Sequence, residues 1–448
     1  MHDADDRDAS VEVSPEEAEL ADDGVGGGDG GGPVRAADFW RQRLVRGRIG
    51  AEKNAILPIA ANVVVFLQRH LDWAGVVAYD EFAEAVVSTR SPPWDALDGG
   101  GKRAPGVWTD EDTTRLVNWF ARREKFVVGA LTVEQALAVV AAERAYHPVR
   151  AYLRGLRWDG VCRLEVLPHL LTCESTPYSR GVLRRWMISA VARAMSPGCK
   201  VDCVLVLESP EQGRKKTTFF QSLVPVSAWY SDSAIDLGNK DSYQNLRSTW
   251  IYGFDELDSL RGRDLTRTKS FLSATADRYR ASFGRRAREW PRQNVFCGTT
   301  NEERYLVDAT GNRRFWPLRI RGEVDIAAVV EERDQLWAEA AAAYGNGEKW
   351  HVDTPEFRAL CEEAQAERMV EDPWSAAVGQ WIAQNAAGRA IDAAEILGAL
   401  GIEIASQTVT ESMRLARVLR GLGYARDAHQ TATRRGRVRL YRPAAHGT

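Results

Sequence analysis

What the 448-residue chain has little of narrows its chemistry first. Six cysteines are scattered along it, so neither a disulfide framework nor a finger-type zinc site is expected. Cys199 and Cys203 stand without a second Cys or His pair at metal-ligand spacing. A reduced, cytoplasmic setting fits this cysteine usage. No apolar run approaches the roughly 18 residues that span a bilayer, so no membrane partner is expected. The opening MHDADDRDAS has neither the basic nor the apolar part of a secretory signal. Seven dispersed histidines and no clustered acid/His set argue against a metal-dependent nuclease. No internal repeat is evident. The remaining composition, 44% hydrophobic and 27% charged, is ordinary for a soluble globular protein with a few domains.

The net charge of −3 conceals an asymmetry. Residues 1–35 carry eleven acids against Arg7 and Arg35, a net −9, which leaves +6 on the other 413. This leader ends in GVGGGDGGG and holds too little apolar surface to offset its ordering entropy, so residues 1–36 are read as disordered. The mildly basic remainder permits a polyanionic partner without demanding one.

Residues 37–198 read as a mostly helical N-terminal domain. The stretch NAILPIAANVVVFLQRHL has helical periodicity, 110–123 runs from acids to bases as a helix dipole favours, and 132–144 and 177–195 are further helices. The character then changes. Short apolar runs at 201–207 (VDCVLVL), 250–254 (WIYGF), 294–298 (NVFCG) and 315–320 (FWPLRI, shortened by Pro317) predict buried strands, with a helix starting near Thr217. Strands alternating with helices predict an α/β core with a parallel sheet over 199–322. An Ala-rich helical lid or linker is expected at 323–372. Residues 373–448 read as a winged-helix-like domain, with helices near 375–385, 391–400 and 408–422 and a wing formed by Tyr424-Ala425 and 438–441.

Strand, turn, helix is the setting of a phosphate-binding loop, and the turn here is Pro210-Glu211-Gln212-Gly213-Arg214-Lys215-Lys216-Thr217. Against G-x-x-x-x-G-K-[ST], Lys216 and Thr217 fit, while Pro210 and Lys215 stand where glycines are expected. Gly213 is the one residue left that takes positive φ freely. The lysine would neutralise phosphates and the threonine hydroxyl would hold Mg²⁺; taken alone, the stretch also reads as a basic surface turn. WIYGFDE delivers Asp255 and Glu256 at a strand end, where one carboxylate could serve a metal and the other an attacking water. A solvated strand cap is the plainer reading of that pair. Asn301 ends the third strand and could position water or sense a γ-phosphate, or could make a turn. Arg313 and Arg314 offer an arginine finger to a neighbour's nucleotide, or structural ion pairs.

In combination these stretches resemble the virulence-associated protein E family, relatives of superfamily 3 helicases found in mobile genetic elements. The resemblance runs over roughly 50–320. It rests on His147-Pro148-Val149-Arg150, Leu156-Arg157-Trp158-Asp159-Gly160, Pro197-Gly198-Cys199-Lys200-Val201-Asp202, Lys216-Thr217-Thr218, Asp255-Glu256-Leu257, Gly298-Thr299-Thr300-Asn301 and the run GNRRFWP at 311–317. It implies an AAA+-like P-loop core behind a helical domain, using ATP and Mg²⁺ for work on DNA in the replication of phages, satellites or integrated elements. It implies nucleotide binding by Gly213, Lys216, Thr217 and Thr218, with Thr217 and Asp255 at the metal. Glu256, Asn301 and Arg313 or Arg314 become the catalytic set, Arg313 being the first choice of finger. A finger acting between subunits implies a homo-oligomeric ring. Family members often carry a primase domain, for which residues 1–36 leave no room, so a separate primase is a candidate partner.

DNA contact has its own signal. DRYRASFGRRAREWPRQ carries Arg278, Arg280, Arg285, Arg286, Arg288 and Arg292 with Tyr279, Phe283 and Trp290, a mixture suited to phosphates and unpaired bases; the resemblance to superfamily 3 helicases implies a hairpin here facing a central pore, and a solvated basic loop is the alternative. Residues 414–442 hold nine arginines, among them Arg434, Arg435 and Arg437, against Asp427 alone. That bias suits duplex DNA. The leading expectation is an ATP-driven helicase or translocase-type replication protein. The alternative is a non-hydrolysing DNA-binding replication or interference factor with a degenerate loop.

Overall fold

The computed structural model of the chain describes residues 36–94, 103–235, 240–254, 265–279, 287–306, 312–370, 372–386, 388–402, 408–428, 431–433, 436–438 and 440–443. They fall into two compact units, one within 36–77, 88–105 and 109–140, the other comprising 78–87, 106–108 and the chain from 141 onward.

Aromatic rings organise the first unit. Phe66, on the helix Ala60–Arg69, meets Phe120 of the helix Asp110–Arg123 edge-on at 5.3 Å, and Phe126 stacks on Phe66 at 5.5 Å. The helix Asp110–Arg123 starts where the acids do, with Thr109 and Asp112 forming a reciprocal cap. The run read as helical from Asn54 divides instead. Glu52–Ile56 is a strand paired with Arg46–Ile49, and the helix begins only at Ala60. Pro58 explains the break, because it disfavours helical backbone at Leu57.

The second unit is built on a five-stranded parallel sheet. In chain order its elements are α1 (Pro177–Met195), β1 (Val204–Glu208), α2 (Lys216–Ser222), β2 (Tyr230–Ser231), β3 (Ile251–Phe254), α3 (Leu265–Ser273), the strands β4 (Ala276–Tyr279) and β5 (Arg288–Pro291), β6 (Val295–Thr300), β7 (Phe315–Arg319), α4 (Ile326–Gly345) and α5 (Pro355–Ala366). Strand order across the sheet is β7-β1-β6-β3-β2. β4 and β5 form a separate antiparallel ribbon, with Arg278 opposite Glu289. Both sheet faces are covered, which is why the strands read as near-continuous apolar runs. Leu205, Leu207, Ile251, Cys297 and Leu318 point to one face, with Trp186, Phe219, Phe220 and Trp337 from α1, α2 and α4. Val204, Val206, Tyr252, Phe296 and Phe315 point to the other, with Phe271 and Leu272 of α3. Pro317 is accommodated because β7 is an edge strand, where a missing N–H leaves no ladder partner wanting.

Two boundaries differ from expectation. The stretch 37–198 also contains short strands, and the division between units falls near residue 140. α1 belongs to the sheet because its indole and carbonyl groups are tied into it: Trp186 donates to the Phe296 carbonyl (2.8 Å) and Trp250 to the Ala190 carbonyl (2.9 Å). Likewise α4, expected within a lid or linker, is an inner layer. Its Trp337 is fully buried, lies 4.3 Å from the Trp250 ring and donates to the Leu223 carbonyl at 2.7 Å.

C-terminal to α5 lie three helices, Trp374–Asn385, Ala393–Ala399 and Val409–Gly421, close to the expected ranges. Tyr424–Arg426 pairs antiparallel with Tyr441–Pro443, and Thr431–Thr433 with Gly436–Val438. Ile382, Ile396, Leu415, Leu419, Tyr424 and Tyr441 form their shared core.

Trp337→Ala would remove the ring that joins α4 to the sheet. A loss of about 3–5 kcal/mol, the usual cost of truncating a buried Trp, is expected in urea unfolding followed by tryptophan fluorescence.

Candidate functional site

β1 is the central element of the site. All five of its residues are buried, so the chain leaving it emerges inside the sheet's C-terminal edge. Parallel pairing sets Thr300 of β6 opposite Glu208 of β1, and the Ser209 amide donates to the Thr300 carbonyl at 3.2 Å. The residues after both strands therefore leave side by side. Residues 209–215 form the turn and Lys216 opens α2. Gly213 has φ +76°, and Lys215 has φ +58°, ψ +30°. Lys215 thus takes the left-handed conformation for which a glycine was expected. Its ammonium lies 2.7 Å from Glu323 Oε1, an exposed contact.

Lys216 turns back over the loop. It is 9% exposed; Nζ lies 2.6 Å from Asn301 Oδ1 and 3.4 Å from the Ser209 carbonyl. Burial holds its ammonium pKa below the usual lysine value. Thr217 is half-buried and Thr218 exposed on the first turn of α2, where amides have no intrahelical acceptor. The structure thus brings together Gly213, Lys216, Thr217, Thr218 and Asn301. Asp255 and Glu256 lie outside the described residues. They follow directly on Phe254, which ends β3 in register with Gly298 of β6. Among the described residues no group of three or more His, Cys, Asp or Glu could hold a metal ion. The oxygen donors in prospect are the Thr217 hydroxyl and Asp255, a pairing that suits a hard cation retaining water.

Arg313 and Arg314 precede β7 and so stand at the opposite edge of the sheet from Lys216. They differ in environment. Arg314 is half-buried and donates twice to Ser273 Oγ (2.9 and 2.7 Å), whereas Arg313 is exposed and has no side-chain partner among the described residues.

A buried network beneath the loop escaped the sequence. Glu208, the last residue of β1, is 2% exposed and accepts from Arg368 through both carboxylate oxygens (2.6–3.2 Å) and from Tyr305 Oη (3.2 Å). The only hint was an acid closing an otherwise apolar strand.

The ribbon β4–β5 carries the pore-type signal, and here the basic stretch divides. Arg278 and Arg288 are exposed; Arg280, Arg285 and Arg286 lie outside the described residues. Arg292 and Tyr279, counted with the DNA-facing groups by sequence, are internal. Arg292 is 3% exposed and bidentate to Asp277 at 2.8 Å. Tyr279 is buried, stacks on Trp290 and accepts from Arg247 Nε at 2.6 Å. Arg247 itself lies 4.0 Å from the Trp290 ring, and its Nε is 3.1 Å from Glu84, whose carboxyl burial pushes up to about 7 against the opposing pull of Arg247. The hairpin base is thus held by internal stacking. In the C-terminal region Arg414 pairs with Asp372 (2.8 Å) and Arg442 with Asp427 (3.0 Å). Arg434 and Arg435 lie outside the described residues; Arg437 lies on Gly436–Val438.

A parallel α/β sheet with a lysine-led loop at the end of its first strand makes this a mixed α/β protein. Residues 153–370 match the model of the virulence-associated protein E-like domain. The match takes in the sheet, α4 and α5, and begins just after the HPVR string. No curated protein matches the chain. Among solved structures, one of the NrS-1 C-terminal region is 11% identical, with 82% of this chain and 96% of that one covered and a TM-score of 0.40. Another of the same region is 10% identical over 65% and 78%, TM-score 0.35. JCV helicase is 13% identical over 57% and 79%, TM-score 0.23.

The Lys216 result has a consequence for stability. Its folded-state pKa lies below the unfolded value, so the ammonium opposes folding at neutral pH and ceases to do so only above the ordinary lysine pKa. Replacing it with an apolar side chain of similar length, Lys216→Met, is expected to raise the thermal midpoint of the protein, read by scanning calorimetry.

Proposed function

We propose that the chain is an ATP-driven DNA helicase or translocase-type replication protein of a phage, satellite or integrated element. The observation that carries the reading is the 2.6 Å approach of Lys216 Nζ to Asn301 Oδ1 above a loop with two left-handed residues. A desolvated ammonium satisfied by one neutral amide, beside helix-start amides, is arranged to exchange that amide for phosphate oxygens. The parallel sheet with this loop after β1 supports an AAA+-like P-loop core.

In this reading Gly213, Lys216, Thr217 and Thr218 hold the triphosphate, and Asn301, released from the lysine, orients the attacking water. Thr217 and Asp255 would hold Mg²⁺, which would supply charge neutralisation between the β- and γ-phosphates. Glu256 would take the proton from that water. Arg313, exposed at the far edge of the sheet, is suited to a neighbouring copy's nucleotide in a homo-oligomeric ring, whereas Arg314 is engaged with Ser273. Single-stranded DNA would follow Arg278, Arg280, Arg285 and Arg286 through the pore. The C-terminal helices and strand pairs, read as a winged helix, would bring Arg434, Arg435 and Arg437 to duplex DNA; a separate primase would complete the machinery. The second reading, a non-hydrolysing DNA-binding factor, draws on Pro210 and Lys215 in place of glycines. The left-handed Lys215 weakens it, since the curl survives the substitution.

DNA-stimulated ATP hydrolysis separates the two. Lys216→Ala and Glu256→Gln should each fall at least about 100-fold below wild type; equal background rates in all three proteins favour the binding factor. For the strand path, Arg278→Ala/Arg280→Ala should bind oligothymidylate more weakly and lower the slope of log affinity against log salt by about 1.4. An unchanged slope moves the contact elsewhere.

A further inference from the structure

At the opposite edge of the sheet from Lys216, a second cleft of ≈ 690 Å³ opens between the segment leading into β1, the start of β7 and α5. Its volume lies within the range of small-molecule pockets. Trp316 of β7 forms part of its wall and is 2% exposed, with its indole N–H buried and without an acceptor among the described residues. Trp350 supplies a second ring, held in place by its own N–H donating to the Lys200 carbonyl at 3.0 Å. On the rim stand Lys200, Arg313 and Arg358, all exposed and none with a side-chain ion pair among the described residues.

We propose that this cleft binds a nucleotide, with the base against Trp350 and the phosphate at Lys200 and Arg358. Two rim carboxylates, Asp202 and Glu362, decide between a nucleotide and the other anion of similar size, an acidic peptide. They disfavour an acidic peptide, which brings several carboxylates, whereas a nucleotide confines its charge to the phosphate and offers them donors from sugar hydroxyls and exocyclic amines. The cleft shares no residue with the loop at Lys216, and the phosphate is placed at Lys200 and Arg358 rather than at Arg313, which the ATPase reading uses, so the two readings are tested separately. A free nucleotide and one within a single strand present the same base and phosphate.

The test uses the full chain carrying Lys216→Ala, which removes the loop site, with radiolabelled AMP and a thymidine tetranucleotide as probes in equilibrium dialysis. One or both should bind at one equivalent, and Arg358→Glu should weaken that binding by about tenfold or more. Trp350→Ala should do the same, with circular dichroism and the thermal midpoint of Arg358→Glu confirming an intact fold. AMP binding identifies a free nucleotide, and binding of the tetranucleotide alone identifies the strand. Neither probe binding the Lys216→Ala protein, binding that Arg358→Glu leaves unchanged, or displacement of AMP by a glutamate-rich peptide would each overturn the proposal.

Discussion

The parallel register of β1 with β6 is the constraint on which the site depends. Because Thr300 lies opposite Glu208, the turn after one strand and Asn301 after the other start from the same edge, and a single lysine can reach both the Ser209 carbonyl and the Asn301 amide. A shift of one residue would turn every β1 side chain to the other sheet face. Leu205 and Leu207 would then exchange places with Val204 and Val206, and Glu208 would face the tryptophan-rich side. The two unlike hydrophobic layers, Trp186, Trp250 and Trp337 on one face and Phe254, Phe271 and Phe296 on the other, make that exchange sterically costly. The core thereby aims the loop.

Charge burial beneath the loop works in the same direction. Glu208 meets Arg368 through two oxygens and Tyr305 through one, so the carboxylate that ends β1 is satisfied while out of water. Tyr305 and Leu306 in turn donate their amides to the Arg368 carbonyl, joining the chain that follows Asn301 to the end of α5. One cluster therefore holds the base of the turn, the continuation of the Asn301 strand and the helix beyond. Such a pair contributes less to net stability than to geometry, because removing either partner strands the other in a buried setting.

How much was legible follows from which interactions are local. The strand runs at 201–207, 250–254, 294–298 and 315–320 fall at β1, β3, β6 and β7 within a few residues, since burial on both faces writes itself as consecutive apolar residues. Helix 110–123 was legible through its charge order. The inner position of α4 and the allegiance of α1 to the sheet were not, because they rest on partners more than a hundred residues away, such as Leu223 for Trp337 and Phe296 for Trp186; the helix boundary was missed for a local reason, the effect of Pro58 on Leu57. Composition also misled at Arg292 and Tyr279. An arginine-rich run suggests a solvated surface, yet Asp277 lies at cross-ribbon distance for Arg292, and Arg247 arrives from another segment to cover Tyr279. The loop shows the reverse error: Lys215 in place of glycine argued against a phosphate-loop backbone, and the backbone takes that shape regardless, at the roughly 1 kcal/mol that a left-handed non-glycine residue costs.

The two arginines before β7 show how structure divides what sequence presents as a pair. Adjacent residues on a short helical turn point in different directions, and here Ser273 of α3 accepts both donors of Arg314, leaving Arg313 toward solvent. The same turn carries β7 into register with β1, so the position of Arg313 is tied through that pairing to the strand that ends in the loop at Lys216. A change in the loop that moved β1 along its axis would have to break pairing with β7 and β6 together, whereas a rotation of the whole sheet would carry both edges at once. Within this fold, rigid-body motion of the sheet is therefore the less costly way for an event at one edge to be felt at the other.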